Sequence, residues 1–162
     1  MLLLVEDEPG IAEGLQYVLS VDGIASQVAS NGAEALELLT ARQFDAVLTD
    51  ISMPVMDGLE LLARVRCQQM DVPFVFLTGF GDREMLTEAL RLGATDFLEK
   101  PFSRPVLVNV LSKAIKLGRA LRACDADLRI ENKMELWQSR RALMLMGRHS
   151  KLEQQLQEQQ LG

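Results

Sequence analysis

The 162-residue sequence predicts an α/β protein built on a parallel sheet with a helical extension at its C-terminal end, and three observations carry that expectation. Short apolar runs alternate five times with stretches of helical periodicity. The connections between them are brief, and polar residues end the runs abruptly. Strands joined through helices in this way need right-handed crossovers, which make them parallel. Wholly apolar runs also fit strands covered on both faces.

The first run is Leu2-Leu3-Leu4-Val5, ended by Glu6-Asp7-Glu8. From Pro9 to about Ser20, Ile11, Leu15, Val18 and Leu19 recur at helical spacing, and proline is acceptable in a first turn. Residues 24–29 read as a second strand, weakened by Ser26 and Gln27. Asn31-Gly32 then opens a helix with Ala35, Leu36 and Leu39 on one face. The alternation continues with strand 45–49, helix 58–69, strand 73–77, helix 82–92, strand 95–98 and a helix from about 103. Beyond Leu117 it stops. Residues 118–162 contain no proline and are rich in Arg, Glu, Gln, Leu and Met, which are good helix formers. Leu117, Leu121, Cys124 and Leu128 keep a 4-3-4 rhythm, and five glutamines fall among the last nine residues.

The net charge of −6 is unevenly spread: residues 1–117 carry 9 Lys/Arg against 17 Asp/Glu, and residues 118–162 carry 8 against 6. An acidic main body argues against nucleic-acid binding, which rewards clustered cations, and the tail does not reach that density either. Cys67 and Cys124 lack metal or disulfide spacing and read as reduced thiols, Cys67 half-buried in a helix. No apolar run approaches the ~20 residues of a membrane span, and a cytoplasmic location is expected.

The polar residues at the strand ends carry the chemistry. Glu6-Asp7 closes the first strand, Asp50 the third, Thr78-Gly79 the fourth and Lys100-Pro101 the fifth. Each alone has an ordinary reading: acids favour a helix's first turn, and a lysine before proline sits on the surface. No ordinary reading explains why all of them fall at carboxyl ends of strands, where open α/β sheets bind ligands. Three carboxylates so close would repel unless a cation joined them. Mg²⁺ prefers oxygen ligands, and Asp7 and Asp50 would supply them, with Glu6 direct or through water and Ser52 through its backbone carbonyl. Lys100 would pair with one oxygen of a phosphoryl group and Thr78 would donate to another. Gly79 leaves room for the group beside a backbone N–H.

These segments resemble the receiver domain of two-component response regulators. Leu4-Val5-Glu6-Asp7-Glu8 is similar to its acidic pair, and residues 48–58 (Leu-Thr-Asp-Ile-Ser-Met-Pro-Val-Met-Asp-Gly) to its phosphoacceptor segment. Leu77-Thr78-Gly79 resembles the hydroxyl step, and residues 93–102 the lysine segment. The resemblance covers residues 1–117. It implies a CheY-like, flavodoxin-like (βα)5 doubly wound sheet with strand order 2-1-3-4-5. It further implies that a cognate histidine kinase or phosphotransfer protein phosphorylates Asp50 with Mg²⁺ bound. Thr78 then moves inward, Phe97 rotates into the vacated space, and the face of the fourth helix, fifth strand and fifth helix changes partners. Such a chain is not an enzyme beyond its own phosphorylation and slow dephosphorylation. Phe80 is placed to cover the site and prolong the phosphoryl group's life.

Two other readings compete: an aspartyl-nucleophile phosphohydrolase, and an interaction module without phosphorylation. The first calls for its nucleophile in a D-x-D pattern at the first strand, where this chain has Glu6-Asp7-Glu8. The second leaves the strand-end residues unexplained. Residues 118–162 are expected to form a helical extension, either a homodimerisation stalk or a linker to an effector domain. His149, the one histidine, lies in that stretch and does not resemble a kinase's phosphorylated histidine.

Overall fold

The structure, a computed structural model, describes residues 1–79 and 81–127. Five strands alternate with five helices: β1 (Leu2–Val5), α1 (Pro9–Val21), β2 (Ser26–Ala29), α2 (Gly32–Ala41), β3 (Ala46–Asp50), α3 (Gly58–Cys67), β4 (Phe74–Thr78), α4 (Arg83–Arg91), β5 (Asp96–Glu99) and α5 (Arg104–Asp127). The strands form one parallel sheet in the order β2-β1-β3-β4-β5. This is the doubly wound, flavodoxin-like arrangement that the family resemblance implies.

Successive side chains in a strand point to opposite faces, and the two halves of the core follow that period. Leu3, Val5, Val47, Phe74 and Phe76 pack under α2, α3 and α4 through Ala35, Leu39, Leu61, Leu62, Val65 and Ala89. Leu2, Leu4, Ala46, Leu48, Val75 and Leu77 pack on the other face against Leu15 and Leu19 of α1 and Leu107, Leu111 and Ala114 of α5. Burial on both faces explains why the runs are continuously apolar.

Helix starts follow local chemistry. Asn31 accepts the Glu34 N–H at 3.0 Å and Asp57 the Glu60 N–H at 2.8 Å, each capping its helix. Pro9 fills the first position of α1, where its missing N–H costs nothing. Ile11 departs from the expected face: it is exposed, and Ala12 takes the buried place beside Leu15 and Leu19. Cys67 is exposed rather than half-buried, because α3 turns its final residue outward. β2 begins at Ser26, two residues later than expected, after a turn in which Gly23 has φ +72°.

Helix α5 runs without interruption through Asp127, and its second half is fastened to the sheet's amino edge. Arg122 donates to the Phe44 carbonyl at 2.8 Å and pairs with the buried carboxylate of Asp45, which also receives Arg119 and the Met1 amino group. Phe80, His149 and residues 128–162 lie outside the described residues, so the expectations for them are not addressed by the structure.

Candidate functional site

The chain reverses its winding direction between β1 and β3, and their carboxyl ends open a crevice there. Glu6 and Asp7 follow β1 directly. Asp50 is the last residue of β3, because the Ile51 N–H still reaches the Leu77 carbonyl at 3.3 Å and extends the ladder. Thr78 ends β4, and Lys100 follows β5, its N–H bonded to the Thr78 carbonyl at 2.8 Å. All the strand-end residues singled out by the sequence therefore lie along one rim.

Asp50 and Lys100, fifty residues apart, meet there: Nζ lies 2.5 Å from Oδ2. The other oxygen, Oδ1, accepts the Ser52 N–H at 3.2 Å, and the Asp50 side chain is 18% exposed, so it is open to solvent. Ser52 is itself exposed. Thr78 is buried, and its hydroxyl donates to the Leu98 carbonyl at 3.4 Å. Phe97 is half-buried on β5, opposite Phe76 in register, with its ring packed on the α2–α3–α4 side of the core.

Glu6 is almost wholly buried. Its Oε1 accepts the Glu8 N–H at 3.1 Å, and its Oε2 has no hydrogen-bond partner. Burial raises its pKa and the Glu8 N–H opposes this; Asp50 and Asp7 add repulsion while Lys100 relieves it. Burial pulls the Lys100 ammonium down, but the hydrogen bond and charge of Asp50, with Glu6 and Glu8, outweigh it and hold its pKa above the ordinary lysine value. Among the described residues no three His, Cys, Asp or Glu side chains are gathered as they would be around a bound ion. The donor chemistry nevertheless fits a hard cation: an orphaned buried carboxylate oxygen, a second acid beside it, and the Asp50 carboxylate, here paired with an ammonium.

Two structural partners of the rim were not singled out from the sequence. Gly58 lies so close under β3 that an added Cβ would stand 2.3 Å from the Asp50 carbonyl oxygen. The Asp57-Gly58 pair after Met-Pro-Val-Met was the available signal, since a glycine in a helix's first turn invites a packing reason. Asp82 accepts the Gly79 N–H at 2.6 Å. Its sequence signal was an acid placed just before α4, which ordinarily reads as a cap.

The family model for the response regulator receiver domain matches residues 2–112. The transcriptional regulatory protein FixJ of Bradyrhizobium diazoefficiens is 34% identical over 115 residues, which cover 71% of this chain and 56% of that protein. The chain thus matches about half the length of that relative. The sporulation initiation phosphotransferase F of Bacillus subtilis is 32% identical over 116 residues, 72% of this chain and 94% of that one. Among solved structures, a response regulator receiver domain protein from Clostridium thermocellum superposes with a TM-score of 0.67 at 29% identity, covering 74% of this chain and 97% of that one.

Proposed function

The chain belongs to the response regulator receiver domain family, whose members serve two-component signalling, and on that footing we propose that Asp50 accepts a phosphoryl group from a histidine kinase or phosphotransfer protein. Glu6, Asp7, Asp50 and the Ser52 carbonyl would hold Mg²⁺, which neutralises the charge developing on the transferred group. A carboxylate oxygen of Asp50 attacks phosphorus as the bond to the donor's nitrogen breaks, and the electron pair leaves with that nitrogen. Lys100 exchanges its contact with Oδ2 for one with a phosphoryl oxygen. Thr78 turns from the Leu98 carbonyl to donate to another, and Phe97 moves into the space it leaves. The face made by α4, β5 and α5 then changes its preferred partners, a two-state equilibrium biased by one charge-assisted hydrogen bond and one repacked ring.

The observation that carries this reading is the Lys100–Asp50 contact at the rim between β3 and β5, with the Asp50 side chain open to solvent. The reading extends to residues 118–162 as a helical homodimerisation stalk or linker to an effector domain, to a cytoplasmic location, and to a chain with no turnover beyond its own phosphorylation and slow dephosphorylation. Incubation with acetyl phosphate and Mg²⁺, followed by intact mass measurement, tests the core of it. One phosphoryl group is expected on the native chain and none on Asp50→Asn. Equal labelling of Asp50→Asn would overturn the assignment.

A further inference from the structure

Asp82 occupies the N-cap position of α4, yet its side chain makes no capping hydrogen bond. Asn31 and Asp57, at the same position of α2 and α3, each accept an N–H of their own helix. The Asp82 carboxylate is instead spent on the Gly79 N–H at 2.6 Å. Gly79 follows Thr78 at the end of β4, and in the proposed reading its N–H is a backbone donor offered to a phosphoryl group on Asp50. The Thr78 hydroxyl is engaged elsewhere too, on the Leu98 carbonyl. The Thr78 hydroxyl and the Gly79 N–H are thus both committed to other acceptors.

A carboxylate and a phosphoryl oxygen cannot both hold one N–H at full strength, and their negative charges repel. The α4 N-terminus meanwhile offers N–H groups that an aspartate at that position ordinarily accepts. We infer that Asp82 is a latch on the Gly79 N–H: it holds that donor in the unphosphorylated chain, and a phosphoryl group on Asp50 displaces it onto the first turn of α4. The inference rests on Asp50 being the phosphoacceptor. It supplies a direct link from that site to α4, because the arriving group frees the Asp82 side chain to cap that helix. Asp82 is a positioning residue in this scheme; it touches the donor and not the phosphorus.

Asparagine caps helices about as well as aspartate but is a weaker, uncharged acceptor, so Asp82→Asn isolates the latch from the cap. The full chain is titrated with beryllofluoride and Mg²⁺ while the ¹⁵N–¹H resonance of Gly79 is followed by NMR. Asp82→Asn should bind about three- to tenfold more tightly than the native chain, and its Gly79 resonance should be displaced before any beryllofluoride is added. Asp82→Ser, which also caps, should move in the same direction. Glu84→Gln removes a neighbouring exposed charge in the first turn of α4 and should leave the affinity unchanged. Unaltered or weaker binding by both Asp82 variants would overturn the inference, as would an equal gain in Glu84→Gln, which would reduce the effect to general relief of negative charge. A native chain that takes up no beryllofluoride would instead sink the phosphoacceptor reading beneath it.

Discussion

Glu6 shows how a site residue can work against the fold that holds it. Its carboxyl is buried, one oxygen has no partner, and burial raises its pKa, with Asp50 and Asp7 adding to the rise. Below its unfolded-state pKa the group is protonated whether the chain is folded or not, and it costs nothing. As pH rises through the folded-state value the buried charge forms, and the folded state alone bears the penalty. Glu6→Gln should therefore stabilise the chain at pH 7 by about 1 kcal/mol in urea unfolding. The advantage should fade as pH is brought toward about 4, and Mg²⁺ should narrow it at neutral pH by stabilising the native carboxylate. A gain of the same size at both pH values would mean that amide packing, and not charge, is responsible. At this scale the sequence revealed residues whose meaning lies in their position at a strand's end, such as Asp50, Thr78 and Lys100. It did not reveal Asp82's attachment to Gly79, because that depends on the path of a turn, nor the exposure of Ile11 and Cys67, because a helix's rotation is set by what it packs against.

Helices were legible from their periodicity, but periodicity says nothing about how closely two backbones approach. Gly14 and Gly118 both sit inside helices and look equivalent as letters. A Cβ on Gly14 would meet nothing within 4 Å, whereas one on Gly118 would stand 1.7 Å from the Asp45 carbonyl oxygen. Replacing glycine with alanine in an open helix interior gains roughly 0.5–1 kcal/mol through propensity alone, so Gly14→Ala should raise the unfolding midpoint. Gly118→Ala should lower it, by about 1–3 kcal/mol, because α5 must lift away from β3 to admit the methyl group. Opposite signs from one substitution type, read in the same denaturation experiment, would establish that α5 is seated on the sheet through Gly118. A stabilised Gly118→Ala would place that part of α5 off the sheet. Strand boundaries were legible to within one or two residues, and the shifts have local causes: Asp50 joins β3 because the ladder to Leu77 continues past it, and β2 starts late because Gly23 turns the chain first.

For the molecule as a whole, the alternation of elements was enough to give a parallel α/β sheet, while the strand order came only with the likeness of four motifs to a family. Neither disclosed how far α5 stays attached. The strand–helix alternation stops after Leu117 while the 4-3-4 rhythm of Leu117, Leu121 and Cys124 continues the helix. The structure carries it through Asp127 and ties Arg119 and Arg122 to the buried carboxylate of Asp45, a fastening that no apolar spacing announces. Burial opposes ionisation of that carboxyl, yet the amino terminus and Arg122 prevail and hold its pKa below the usual value. Its contribution is present at neutral pH and is lost as pH falls through that lowered pKa. Ending the chain at residue 117 would strip Asp45 of both guanidinium groups and leave a buried charge short of partners. Residues 1–127 should consequently melt higher than residues 1–117 at pH 7, by about 2 kcal/mol or roughly 6–10 °C, and the gap should shrink at acid pH. Residues 1–127 should also take up beryllofluoride with the affinity of the full chain, since every side chain at the rim lies within that span. Equal melting of the two shortened chains would show the Asp45 pairs to be idle. Affinity restored only by the full 162 residues would mean that the proposed phosphorylation site needs the extension as well.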